Sequence, residues 1–131
     1  AALGRSQLRK LTAWVDRRNA LAERYARQLA PLPVTLPPAA QPGWRHAYHL
    51  YPVRVRCRRQ VYDALRGAGI GVQVHYLPVY RHPLYAPFAP GPEAFPEAEA
   101  AYAELLSIPL FPALTDDEQG CVVEALGAAL A

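Results

Sequence analysis

The placement of proline constrains this chain more than any other feature: fourteen of its 131 residues are proline. A proline fixes φ and has no amide N–H, so it ends helices and stays out of the middle of sheets. Pro31, Pro33, Pro37, Pro38 and Pro42 leave the stretch from Pro31 to Gly43 an extended path, a linker wrapped over the surface. Ahead of it, from Gly4 to Leu29, the residues Leu8, Leu11, Val15, Ala22, Tyr25 and Leu29 recur at helical spacing. Arg9, Arg17, Arg18, Glu23, Arg24 and Arg27 occupy the other face. That pattern predicts one long amphipathic helix, ended by Pro31 and Pro33.

Past the linker, Tyr51, Val53 and Val55 alternate with Arg54 and Arg56, the period of a strand with one wet face over Tyr48 to Arg56. Pro52 makes it an edge strand or a bulged one. Val61 and Leu65 stand one helical turn apart, which predicts a short helix at Arg59 to Arg66 stopped by Gly67 or Gly69. Ile70, Val72, Val74 and Tyr76 then alternate with Gly71, Gln73 and His75, a second strand whose less apolar face carries Gln73 and His75. Leu77 to Pro92 shows neither period and reads as an irregular loop holding one helical turn at most. Pro96 fits the first position of a helix, with Glu97 and Glu99 in its first turn and Ala98, Tyr102, Leu105 and Leu106 along it. A third short strand follows at Ser107 to Leu110. Thr115-Asp116-Asp117-Glu118 is a capping box that opens a last helix, buried through Val122, Val123, Leu126 and Leu130. Helices interleaved with short strands define a small α+β domain, its helices packed on one sheet.

The length suits a single domain with a real core. No apolar run reaches the roughly 20 residues of a membrane span, and Ala1-Ala2-Leu3-Gly4-Arg5 lacks the layout of a signal peptide. The expectation is a soluble, cytoplasmic protein without a membrane partner. The chain contains no methionine, which points to a piece of a longer protein. Cys57 and Cys121 have no metal-ligand spacing, so no zinc site is expected, and they read as two buried or half-buried free thiols. The net charge is +3, and Lys10 is the single lysine among fourteen basic residues.

The densest polar and aromatic segment runs from Gln73 to Tyr85 and includes His75, Tyr76, Tyr80 and His82. A strand that empties into a loop of hydrogen-bonding rings is where binding groups commonly sit, although the same rings also pack on a sheet with their polar tips in water. His46 and His49 point to opposite faces of a strand start and make no metal pair. Arg54, Arg56, Arg58 and Arg59 offer phosphate contacts or an ordinary solvated face, and no recognition signature for nucleic acid accompanies them. GxGxxG, phosphate-loop and GxSxG motifs are all missing, so an autonomous enzyme of a common class is not visible.

Several of these segments resemble, in order and spacing over nearly the whole chain, the C-terminal part of the DegT/DnrJ/StrS sugar aminotransferases. They are Ala1-Ala2-Leu3-Gly4, Leu8 and Leu11 with Arg17-Arg18-Asn19, and His46-Ala47-Tyr48-His49-Leu50-Tyr51. Gly69-Ile70-Gly71-Val72-Gln73-Val74-His75-Tyr76 with Pro78, Leu106-Ser107-Ile108-Pro109-Leu110 and Leu114-Thr115-Asp116-Asp117-Glu118-Gln119 complete the set. Val72 to Tyr80 looks most like the branch that aminates a UDP-linked 4-keto sugar on the way to pseudaminic acid.

The resemblance implies the small C-terminal domain of the aspartate-aminotransferase fold, fold type I, with a short antiparallel sheet covered by helices. Its parts would be a long connecting helix over 1–30, a proline-rich linker over 31–47 and an α+β core over 48–131. It also implies a homodimeric parent in which PLP, held by a lysine as a Schiff base, serves as the electron sink while an amino group moves from glutamate to a nucleotide-linked keto sugar. That lysine and the phosphate-binding residues belong upstream of Ala1, and Lys10 lies outside any matching motif. This piece is therefore expected to be inactive alone, with no catalytic or cofactor residue of its own, and to carry substrate contacts at His75, Tyr76, Tyr80 and His82. A free-standing basic module for nucleic acid or another polyanion, and a non-catalytic scaffold, are the rival readings.

Overall fold

A computed structural model describes residues 2–131, and in it the proline-free N-terminal segment forms two helices in place of one. Helix α1 (Ala2–Leu8) and helix α2 (Leu11–Leu29) meet at a break over Arg9 and Lys10. The break has a packing cause. Helix α1 buries no residue, and Leu8 and Leu11 are exposed, so no core contact holds α1 in line with α2. Burial begins at Val15 and continues through Leu21, Ala22, Tyr25 and Leu29.

The sheet is smaller than the alternation suggests. Strand β1 (Tyr51–Arg54) pairs antiparallel with strand β2 (Leu105–Ile108), in register from Tyr51 opposite Ile108 to Arg54 opposite Leu105. Thr35 bridges to Arg54 through two hydrogen bonds (3.0 and 2.9 Å), so the even-numbered β1 residues turn their backbone polar groups toward the linker. The missing N–H of Pro52 therefore falls on the sparsely paired side and leaves the β1–β2 ladder intact.

The second strand expected at Ile70 to Tyr76 reduces to one bridge, Gln73 to Ser107. In that register the next pair would set Gly71 against Pro109, which has no amide N–H to give, so the ladder stops at the single bridge. Leu105 and Leu106, expected in the preceding helix, instead open β2, and Pro109 follows the strand directly.

Helix α3 (Arg58–Gly67) buries Val61 and Leu65 and is stopped by Gly69, whose φ of +80° lets the Ile70 amide reach back to the Leu65 carbonyl. Helix α4 (Pro96–Glu104) starts on its proline with Glu97 and Glu99 in the first turn, as read from the sequence. Helix α5 (Asp116–Leu130) opens with the capping box: Thr115 accepts from the Glu118 amide, and Glu118 accepts from the Thr115 amide.

Helices α2 and α5 clasp each other across the molecule. Arg17 donates to the Leu114 carbonyl at 2.7 Å, Arg17 and Arg24 both pair with Asp116, and the buried Gln119 amide donates to the Leu21 carbonyl at 2.8 Å. Between them lies one core containing Tyr25, Val53, Leu65, Leu106 and Leu126.

The two cysteines are free, as expected, but exposed instead of buried or half-buried. Cys57 sits where the chain leaves the sheet to cap α3, and Cys121 falls off the Gln119, Val122 and Leu126 stripe of α5. Among the described residues no helix is long and apolar enough to cross a membrane.

Candidate functional site

Topology gathers the polar residues at one end of the sheet. Gln73 runs antiparallel to β2, hence in the same sense as β1, and both leave the sheet at its Leu105 end. Three features converge there: His75 with the loop that follows it, the first turn of α3 with Arg58 and Arg59, and the last turn of α4 with Tyr102 and Glu104.

His75 is half-buried, and its Nδ1 is shielded from solvent with no hydrogen-bond partner. Tyr76 stands 69% exposed with its ring edge-on to His75, centroids 4.7 Å apart. The loop beyond contains three single turns of 3₁₀ helix, Val79–Arg81, Ala86–Phe88 and Pro92–Ala94, more order than the sequence suggests. Tyr80 turns inward and stacks on Phe95 at 4.4 Å. Its hydroxyl is shielded beside the Glu99 carboxylate, and burial followed by that carboxylate raises its pKa. His82 closes the first turn through its amide to the Val79 carbonyl and leaves its side chain in solvent. The structure thus brings His75 and Tyr76 together, while none of the described contacts joins Tyr80 or His82 to them.

A clamp that the sequence does not announce holds this loop. Arg81 forks onto Glu99, with Nε donating at 2.8 Å, and its guanidinium lies 5.4 Å from the Tyr102 ring centroid. The Arg81 hydrogen bond is the main reason the Glu99 carboxyl titrates below its usual range. Arg58 lies over the same Tyr102 ring at 5.0 Å and donates to the Ala103 carbonyl at 3.0 Å. Glu99 and Tyr102 stand 18 and 21 residues past Arg81, on a separate helix, so spacing gives no hint of them.

The opposite end of the sheet has a different character. An apolar hollow of about 670 Å³ lies along the linker, with Trp44, His46, Tyr48 and His49 among its walls. His46 is committed there: Nδ1 accepts from the Tyr48 amide at 2.8 Å, and its ring lies 4.1 Å from that of Tyr48. Tyr48, Tyr51 and Tyr25 continue this aromatic line into the core. Burial, with Tyr48 adding to it, pushes the Tyr51 hydroxyl up to about 12, and Tyr25 is raised further while donating to the Pro109 carbonyl at 2.9 Å. These phenols stay neutral near pH 7 and hold the fold together.

The chain's only lysine is also remote from His75. Lys10 sits 5.5 Å from the Trp14 ring centroid, and Trp14 shares a hollow with Phe111 and Pro112, beyond the Ile108 end of β2. No residue of this chain therefore fits the role of a cofactor lysine at the His75 end.

A family model described as the DegT/DnrJ/EryC1/StrS aminotransferase family matches residues 1–127, and the chain belongs to that family. It is 37% identical over 134 residues to the spore coat polysaccharide biosynthesis protein SpsC of Bacillus subtilis (strain 168), covering 96% of this chain and 34% of that protein. It is 35% identical over 127 residues to the dTDP-3-amino-3,4,6-trideoxy-alpha-D-glucose transaminase of Streptomyces venezuelae, again covering 96% of this chain and 34% of the relative.

Among solved structures, S. venezuelae DesV in complex with a ketimine intermediate superposes with a TM-score of 0.91 at 35% identity, over 97% of this chain and 34% of DesV. Helicobacter pylori PseC, an aminotransferase involved in the biosynthesis of pseudoaminic acid, superposes at 0.83 with 27% identity, over 98% and 36%. The chain spans about a third of the length of these proteins. Its fold is that of the corresponding third of a fold type I aminotransferase, a two-stranded antiparallel sheet with five α-helices.

Proposed function

We propose that this chain is the small C-terminal domain of a longer, homodimeric PLP-dependent aminotransferase that moves an amino group from glutamate to a nucleotide-linked keto sugar. The family match along residues 1–127 carries this reading. PLP, when bound, stabilises negative charge at the carbon that gains or loses the amino group. Its lysine comes from residues upstream of Ala1, because Lys10 lies at the wrong end of the sheet. Identity to PseC is 27% against 35% for DesV, so the pseudaminic-acid branch is not singled out.

Within this chain His75 leads the substrate contacts. A shielded imidazole nitrogen with no partner is unfavourable unless a ligand completes it, and Nδ1 of His75 is such an atom at the mouth of a loop. Tyr76 adds an exposed phenol beside it, and His82 an exposed imidazole on the same loop. Tyr80 fixes that loop by its stack on Phe95, with its hydroxyl beside the Glu99 carboxylate.

A broad polyanion-binding face is less favoured, because Arg17, Arg24, Arg45, Arg54 and Arg81 already pair with carboxylates of the chain. The test is to express the reading frame extended upstream of Ala1, record bound-PLP absorbance, reduce with borohydride and map the modified residue. A modified lysine before Ala1, with glutamate-dependent amination of a nucleotide-linked keto sugar, is expected. A frame that does not extend, or one that takes up no PLP, overturns the proposal.

A further inference from the structure

One half-buried cation has nothing in the chain to balance it. Of the five half-buried arginines, Arg17, Arg24, Arg54 and Arg58 each donate to a carbonyl or a carboxylate. Arg18, the fifth, makes neither a hydrogen bond nor an ion pair among the described residues, and its Nε is shielded from solvent without a partner. A guanidinium that has lost part of its water and gained no acceptor is costly, and an anion that reaches it offsets that cost.

Arg18 lines a hollow of about 480 Å³ with Trp14, Phe111, Pro112 and Ala113, a size at which small-molecule sites are found. Arg17 lines it too but is already committed to the Leu114 carbonyl and to Asp116, and no acid is among the lining residues. We propose that this hollow binds a carboxylate carried on a ring-sized apolar body, the carboxylate on the Arg18 guanidinium and the body against Trp14 and Phe111.

The walls are built in advance. Arg17 donates to the Leu114 carbonyl at 2.7 Å and the Leu114 amide to the Phe111 carbonyl at 3.0 Å, which fixes the turn bearing Phe111 against α2. Lys10, Trp14 and Arg18 follow at intervals of four and share one helical face, so the Lys10 ammonium, 5.5 Å from the Trp14 centroid, sets a second positive charge beside the hollow. Arg5, Arg9, Lys10, Arg17 and Arg18 share the stretch from Ala2 to Ala22 with a single acid, Asp16, which Arg45 occupies. Such a field draws anions toward this end of the molecule. One unpaired planar fork matches the two oxygens of one carboxylate, and the apolar walls match the remainder of the ligand.

The hollow lies beyond the Ile108 end of β2, whereas His75 stands at the Leu105 end. An amino donor and an amino acceptor that exchange one group must meet at one site, so a ligand held here is neither of them. The assignment is thus independent of the aminotransferase reading.

The probes are 3-phenylpropionate and its neutral amide, titrated by NMR into the 131-residue chain while the Trp14 indole and Phe111 ring signals are followed. The acid should bind, and the amide about tenfold more weakly, the difference expected of one charge-assisted bond. Arg18→Gln should weaken the acid about tenfold and leave the amide unchanged, and Arg18→Lys should restore the acid only in part. Arg18 holds no hydrogen-bond partner among the described residues, so neither variant takes a hydrogen bond from the fold. Absence of binding, equal binding of acid and amide, or an acid affinity untouched by Arg18→Gln overturns the site. Loss of acid binding in the upstream-extended protein overturns it as well, since the parent then fills the hollow with a side chain of its own.

Discussion

His75 and Gln119 both shield a polar atom that nothing in the chain satisfies, and their surroundings separate their roles. Gln119 is fully buried between α2 and α5 and already donates to the Leu21 carbonyl, so its cost belongs to the fold. Gln119→Ala removes that tie and opens a small void; denaturant titration should show a loss of about 1–3 kcal/mol. His75 lies at the rim of a loop, and its cost is offset only when something binds. In the upstream-extended protein, His75→Ala should lower keto-sugar turnover at least tenfold while PLP uptake stays as in the parent. Turnover equal to the parent's discards His75 as a substrate contact. His75 is legible in the sequence because a strand-like alternation runs straight into a loop of rings. The bond from Gln119 to Leu21 is not, because its partners stand 98 residues apart and no local pattern joins them.

Among the elements, the loop from Leu77 to Phe95 depends most on a single ionic contact. Arg81 grips Glu99 from the loop side, and the hydrogen bond holds the Glu99 carboxyl below its ordinary range. A carboxyl depressed in the folded state contributes above its unfolded pKa of about 4.3, and the contribution is lost as pH falls through the lower folded value. Protection of the amides over residues 79–95, relative to their intrinsic exchange rates, should therefore fall below about pH 4, ahead of protection in the core helices. Glu99→Gln should give the same loss of protection at neutral pH, and unchanged protection in that variant would show that the clamp holds nothing.

The helices are largely legible in the sequence, since Pro96, Gly69 and the Thr115–Glu118 box act on their immediate neighbours. The strands are less so. The alternation at Ile70 to Tyr76 is real, but whether it pairs depends on the strand opposite, where Pro109 offers Gly71 no amide N–H. In the same way the single expected N-terminal helix breaks because Leu8 and Leu11 find nothing to pack on, a fact that lies outside their own segment.

On the scale of the whole molecule, the exposed apolar surface is uneven. Leu3 is 74% exposed, Leu8 66% and Leu11 49%, along one stretch of α1 and the start of α2. Val15, which belongs to the same apolar stripe in sequence, is buried and unavailable for contact. Such a patch favours self-association. Sedimentation over a concentration series should show assembly, and Leu8→Lys with Leu11→Lys should abolish it; a wild-type chain that stays monomeric throughout counts against the patch as a contact surface. The chain by itself should catalyse no transamination at any concentration, which a coupled glutamate assay checks.

The clasp between α2 and α5 also bears on the order in which the molecule can be made. Leu21, Ala22, Tyr25 and Leu29 leave the ribosome about a hundred residues ahead of the side chains that cover them, Val122 and Leu126. Strand β1 waits in the same way for a partner more than fifty residues downstream. Closure of this core thus waits for α5, and until it emerges the nascent segment leaves the buried face of α2 open to whatever chaperone stands at the exit tunnel.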